Sequence, residues 1–148
     1  MDGSLYARTQ DGIELTRRTI HYLDFDTLAL VNKEVVSLTS ERHEYTDEDE
    51  KRLKAMLREV RGVSRGSGFE AAILEKASVL IFRIASGQHF HEGNKRTALV
   101  AGLAFLETNG YTLDIKNPDL VSVVDRAGIS TATLNDIQAT LKKLVRNV

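Results

Sequence analysis

From residue 24 onward, apolar positions recur three and four apart, the period of an α-helix with one buried stripe. Asp24 is placed to cap a helix that carries Leu28, Val31, Val35 and Leu38. Thr46 with Asp49 reads as a capping box ahead of Leu53, Met56, Leu57 and Val60. Phe69, Ile73, Leu80, Ile81 and Ile84 mark a third helix. Thr97 to Leu106 is apolar on every face, the pattern of a helix buried at the centre of a domain. Asn109-Gly110 stops that helix, and residues 111 to 115 are expected to be extended. Asn117-Pro118-Asp119 opens a helix bearing Leu120, Val123 and Val124 and closing at Gly128. Leu134, Ile137, Leu141 and Leu144 mark the last, with basic residues in its final turns that suit the helix dipole. Ahead of all these, Leu5 to Leu23 carries short alternating stretches about Gln10-Asp11-Gly12, a hairpin signal. The pattern predicts a mostly α-helical single domain over residues 1–148, with residues 1–22 as an N-terminal hairpin extension.

Composition narrows the class. A length of 148 residues is enough for one domain with a real core. A net charge of −1 gives no general electrostatic case for nucleic acid or an anionic membrane surface. The chain has no cysteine, which excludes disulfides and thiolate metal sites and fits a reducing compartment. Met1-Asp-Gly-Ser-Leu-Tyr6 has neither the basic head nor the apolar run of a signal peptide. No apolar stretch approaches the ~20 residues of a membrane span. A cytoplasmic protein is the expectation.

Most of the chemistry sits in residues 87–97, Gly-Gln-His-Phe-His-Glu-Gly-Asn-Lys-Arg-Thr. Gly93-Asn94 lies at the mouth of the buried helix, where free backbone N–H groups and the dipole favour an anion. Gly93 lets the backbone approach a ligand closely. Lys95 and Arg96 add a point charge and a bidentate fork, both suited to phosphate. Glu92 beside such a nest is a natural oxygen ligand for Mg²⁺, which binds through one or two carboxylates plus phosphate. The assembly reads as a site for a nucleotide di- or triphosphate with its metal. A P-loop is excluded because Asn94 stands where that pattern needs lysine. A metal site from His89, His91 and Glu92, with His21 or His43, lacks the spacing that puts two imidazoles on one helical face.

The same residues resemble the signature of the Fic/Doc family, His-x-Phe-x-Asp/Glu-Gly/Ala-Asn-Gly/Lys-Arg. Phe90, Glu92, Gly93, Asn94, Lys95 and Arg96 fall in place, and Gln88 stands where the family keeps its catalytic histidine. Lys95-Arg-Thr-Ala-Leu99 and Phe105-Leu-Glu-Thr-Asn-Gly110 look like the Doc (death-on-curing) branch, as do Leu23 to Leu30 and the closing Gly128-Ile-Ser-Thr131 with its helix. The resemblance covers most of the chain after about residue 22. It implies the Fic fold, with Glu92 binding Mg²⁺, Gly93 to Arg96 holding the phosphates of ATP or another nucleotide, and Phe90 anchoring the loop. Lys95 and Arg96 also belong to its transfer centre. A flap before the preceding helix aligns the target, and Arg61 to Gly68, with three glycines and two arginines, is the expected flap.

Most Fic proteins have glycine at position 95 and transfer AMP to a hydroxyl. The Doc branch has lysine, as here, and transfers the terminal phosphate. Its target is a threonine of the translation elongation factor that delivers aminoacyl-tRNA. The resemblance thus implies the toxin component of a toxin–antitoxin pair. The family's inhibitory pattern Ser/Thr-x-x-x-Glu-Gly/Asn is approached by Ser37–Glu41 and Thr46–Glu50, but Arg42 and Lys51 follow them. An inhibitory helix is therefore expected from a separate antitoxin.

An amide cannot take the hydroxyl proton as histidine does, and losing a positioned base costs ~10²–10⁴ in rate. Three readings stay open. Gln88 leaves a nucleotide-binding but nearly inactive protein, the preferred one; His89 or His91 stands in as base; or this branch needs no histidine. Other functions remain beside the kinase: an AMP transferase, a pseudoenzyme that binds nucleotide or antitoxin, and a helix-turn-helix DNA-binding module. The last would use residues 124–137, but its second helix opens on Asn135-Asp136 and keeps Lys142, Lys143 and Arg146 at the far end.

Overall fold

A computed structural model describes residues 4–8, 15–63 and 68–148, with side chains from residue 18 onward. The Gln10-Asp11-Gly12 turn and residues 64–67 of the expected flap lie outside the described residues. The fold is mostly α-helical, with six helices and two short strand pairs among the described residues. Strands β1 (Ser4–Arg8) and β2 (Leu15–Thr19) pair antiparallel, Ser4 opposite Thr19 and Arg8 opposite Leu15. Helices α1 (Phe25–Ser37), α2 (Asp47–Gly62), α3 (Phe69–Gly87) and α4 (Asn94–Thr108) follow. Strand β3 (Tyr111–Thr112), α5 (Pro118–Gly128), α6 (Leu134–Leu144) and β4 (Arg146–Asn147) complete the chain. The extended stretch expected over 111–115 is a strand only at its first two residues, paired antiparallel with β4.

Local chemistry sets most helix ends. The Asp24 carboxylate accepts the Thr27 N–H at 2.8 Å. Thr46 and Asp49 form the reciprocal capping box, and Thr133 with Asp136 repeats it at α6. At α2's other end, the buried Lys76 ammonium donates to the carbonyls of Val60, Arg61 and Val63, at 2.8 to 3.0 Å. Those bonds satisfy all three donors and tie down the exit from α2.

Helix α3 runs through the centre, packed against α2, α4, α5 and α6, and α4 lies beside it. Both are buried on most faces, as the apolar run of α4 predicted. The stripe of α1 differs from expectation. Its buried residues are Phe25, Leu28, Asn32, Val35 and Val36, while Leu38 is 84% exposed. Leu38 keeps a right-handed helical backbone, but the buried face is centred on Asn32 and Val36 and Leu38 lies off it. Among the described residues, no helix is long and apolar enough to cross a membrane.

Candidate functional site

The chain turns from α3 to α4 through residues 88–93. Gln88 closes α3 in the left-handed region, at φ 56° and ψ 38°. Gly93 opens α4 at φ 76°, and no side chain caps that helix. Asn94 clamps the loop from within: its side-chain oxygen accepts the Phe90 N–H at 3.1 Å and its amide donates to the Phe90 carbonyl at 2.8 Å. The Phe90 ring is buried beside His43 and Tyr45. Asn94 therefore offers a ligand its backbone N–H, its side chain being spent on the loop.

Gly93 is required for a reason other than ligand approach. A Cβ there would lie 2.7 Å from Val36 Cγ1, with Asn32 and Val35 close behind. The missing side chain thus makes room for α1, on top of the positive φ that favours glycine.

A cleft of about 360 Å³ opens over the N-terminus of α4. Glu92, Gly93, Asn94, Lys95 and Arg96 form its floor, with Gln88, His91, Glu41 and Asp125 around them. Its first-turn N–H groups and the dipole make the floor positive. Lys95 is exposed, its ammonium 3.8 Å from the Asp125 carboxylate, a weak pair at such exposure. Arg96 is already engaged. Its guanidinium donates to the Val35 carbonyl and the Thr39 hydroxyl, each at 3.2 Å, and to the Glu41 carboxylate. The Glu92 carboxylate accepts the Arg42 N–H.

Beneath the floor lies a buried polar network. Asn32, fully buried, donates to the Glu92 carbonyl at 2.9 Å and to the Thr97 hydroxyl at 3.0 Å. Its side-chain oxygen is 2.7 Å from His43 Nδ1. Since the Asn32 amide donates twice, that oxygen must accept, and Nδ1 carries the hydrogen.

A second cleft, about 350 Å³, lies between the loop and the segment 44–49. Gln88 and His91 line both clefts. Of the expected flap, none of the described residues 61–63 and 68 lines either cleft, and the facing wall is drawn from residues 41–49. That wall is held by the His91 N–H donating to the Glu44 carbonyl at 2.8 Å.

The histidines separate. His89 Nδ1 stands 3.8 Å from the Asp49 carboxylate, and its Nε2 packs against Gly87, where a Cβ would come within 2.5 Å. Both nitrogens are thus turned away from the first cleft, whose lining lacks His89. His21 bonds through its backbone to Asn109, at the far end of α4. Among the described residues, no three His, Asp or Glu side chains gather to hold a metal.

Burial holds the His89 imidazole below its ordinary value, against the pull of Asp49. Burial, then the charge of Lys33, does the same for His43. Both are therefore protonated more readily in the unfolded chain. Their contribution to stability is complete above the ordinary value of 6.5 and is lost as pH falls from there through the folded values. The urea midpoint is expected to be lower at about pH 5.5 than at about pH 7.5, and His43→Gln with His89→Gln should shrink that difference.

The sequence does not mark Asn32, Thr39, Asp125 or Gly128 as site residues, and it marks Glu41 only as the end of a stretch approaching the inhibitory pattern. Among the other four a signal existed for Asn32, a polar residue inside an apolar stripe. Comparison with curated proteins finds no match. The model of the Fic/DOC family matches residues 22–106, from just before α1 nearly to the end of α4 and more than half of the chain. By that match and this arrangement, the chain belongs to the Fic/DOC family.

Proposed function

We propose that the chain is a Doc-branch phosphotransferase, the toxin of a toxin–antitoxin pair, moving the terminal phosphate of ATP to a protein hydroxyl. Fic/DOC membership itself points only to AMP or phosphate transfer. One observation carries the finer reading: the uncapped N-terminus of α4 opens into a cleft floored by Lys95 and Arg96, with Glu92 beside them. Lysine at position 95 favours phosphate over AMP transfer by the Doc resemblance. By the same resemblance Gln88 occupies the family's histidine position, the target is a translation elongation factor, and an antitoxin supplies the inhibitory helix. Action on that target makes the cytoplasm the place of work.

The donor set fits Mg²⁺ arriving with the nucleotide. Glu92 alone would not hold the ion, but one carboxylate with phosphate oxygens suffices for it. When bound, the ion neutralises charge on the phosphate oxygens. The chain's own residues do the rest. Backbone N–H groups of the first turn of α4 cradle the phosphates. Lys95 meets the phosphate charge on the exposed side. Arg96 reaches a phosphate by leaving Glu41, which keeps its fork oriented until then.

The test is label transfer. The chain and a Gln88→His variant are incubated with Mg²⁺, a bacterial lysate and ATP labelled on the α or the γ phosphate. Label from γ alone, on a band the size of an elongation factor, is the expected result. Label from α converts the reading to AMP transfer. Nucleotide binding without label from either chain reduces it to a pseudoenzyme.

A further inference from the structure

We propose that Gln88 is itself a catalytic residue, its side-chain carbonyl orienting the acceptor hydroxyl toward the nucleotide's terminal phosphate. The inference rests on the phosphotransferase reading and names how that site works without a basic side chain at this position. Gln88 Nε2 donates to the Ala85 carbonyl at 3.1 Å and the Gly128 carbonyl at 3.4 Å. These belong to the C-terminal ends of α3 and α5, where carbonyls lack intrahelical partners and the dipoles are negative. Two acceptor neighbours settle which end of the amide faces them: the NH₂ group is anchored, and Oε1 is left over.

Oε1 accepts no hydrogen bond among the described residues, and Gln88 is exposed. Gln88 and His91 are the residues that line both clefts, and the His91 ring makes no hydrogen bond among the described residues. Gln88 is therefore the anchored acceptor between the two spaces. A hydroxyl entering from the second cleft donates to Oε1 and turns a lone pair toward a phosphate seated on α4.

The chemistry tolerates an amide. In a loose transition state the bond to the leaving group is largely broken before the nucleophile bonds, so orientation matters more than early proton removal. The hydroxyl oxygen bonds to the γ phosphorus. The bond from that phosphorus to the β–γ bridging oxygen breaks, and its electron pair leaves with the nucleoside diphosphate. The hydroxyl proton passes to an oxygen of the transferred phosphoryl and then to solvent. Gln88 accepts the hydroxyl's hydrogen bond until that proton moves to the phosphoryl group, and takes no proton itself.

The experiment measures transfer from γ-labelled MgATP to lysate protein for the native chain, Gln88→Met and Gln88→His, across MgATP concentration and pH. Binding of a fluorescent ATP analogue checks that each variant keeps its nucleotide site. The native chain is expected to transfer at a rate nearly flat between about pH 5.5 and 7.5, since no imidazole titrates at that position. Gln88→Met, of similar length but without the acceptor, should lower kcat on the order of 10²-fold with KM for MgATP unchanged. Gln88→His should introduce an acid limb into the profile. A native chain no faster than Gln88→Met overturns the inference. So does a silent native chain beside an active Gln88→His, and there the phosphotransferase reading survives. Failure of all three chains to transfer label, with nucleotide still bound, removes both.

Discussion

Asn32→Leu is expected to destabilise the fold by about 2–5 kcal/mol and to weaken nucleotide binding with it. The side chain is fully buried and serves three partners at once: the Glu92 carbonyl, the Thr97 hydroxyl and His43 Nδ1. Leucine has similar volume, so the substitution removes hydrogen bonds while leaving little cavity. An orphaned buried group costs about 1–3 kcal/mol, and the partly buried Glu92 carbonyl and His43 Nδ1 fall toward the low end. The Thr97 hydroxyl can turn to a carbonyl of its own helix, so two groups carry most of the loss. Functionally, the Glu92 carbonyl is the point where α1 grips the loop, so release of it misplaces both the Glu92 carboxylate and the start of α4. Urea denaturation reads the first effect, and titration with MgATP the second. An Asn32→Leu protein as stable as the native chain would show that the Asn94 clamp and the bonds from residues 42 and 44 position the loop without Asn32.

Gly93→Ala should cost a similar amount for different reasons. A left-handed conformation costs an L residue roughly 1–2 kcal/mol. The new methyl would also stand 2.7 Å from Val36 Cγ1, and overpacking of that kind costs about 1–3 kcal/mol. The two terms separate by experiment. Asparagine tolerates the left-handed region better than alanine, yet Gly93→Asn keeps the clash. Val36→Ala removes the clash and keeps the backbone strain. If packing on α1 dominates, Gly93→Asn is no better than Gly93→Ala, and the double change with Val36→Ala recovers part of the loss. A double change that recovers nothing assigns the cost to the backbone. Relief of the clash by pushing α1 away would carry the Val35 carbonyl and Thr39 from Arg96, so weaker nucleotide binding is expected alongside.

The two substitutions mark where reading the sequence succeeded and where it stopped. Gly93 was legible as a special backbone position because glycine between Glu92 and Asn94 opens an apolar helix. Its main contact was not, because Val36 lies on another helix. Arg96 was legible as a phosphate fork, but its present hold on Glu41 was not. The glycine-rich 61–68 stretch draws attention as a flap, and its residues 64–67 lie outside the described residues; the contribution of residues 41–49 to the clefts, from a polar segment without glycine, gave no such signal. Leu38 reads as part of an apolar stripe because Val35 and Val31 precede it at helical spacing, but packing turns the Asn32–Val36 side of the helix inward.

By itself the sequence determined the helices and the ends of most of them, since caps such as Asp24, Thr46 and Asn117 act on backbone within three residues. It determined as well the loop that opens α4, because Phe90 and Asn94 are four residues apart and clamp each other. Only the tertiary structure decided that Asn32 carries the loop, that Glu41 occupies Arg96 and that Gln88 is anchored on Gly128. Those contacts join residues 40 to 65 apart, and they follow from how α1, α3, α4 and α5 pack rather than from any local preference.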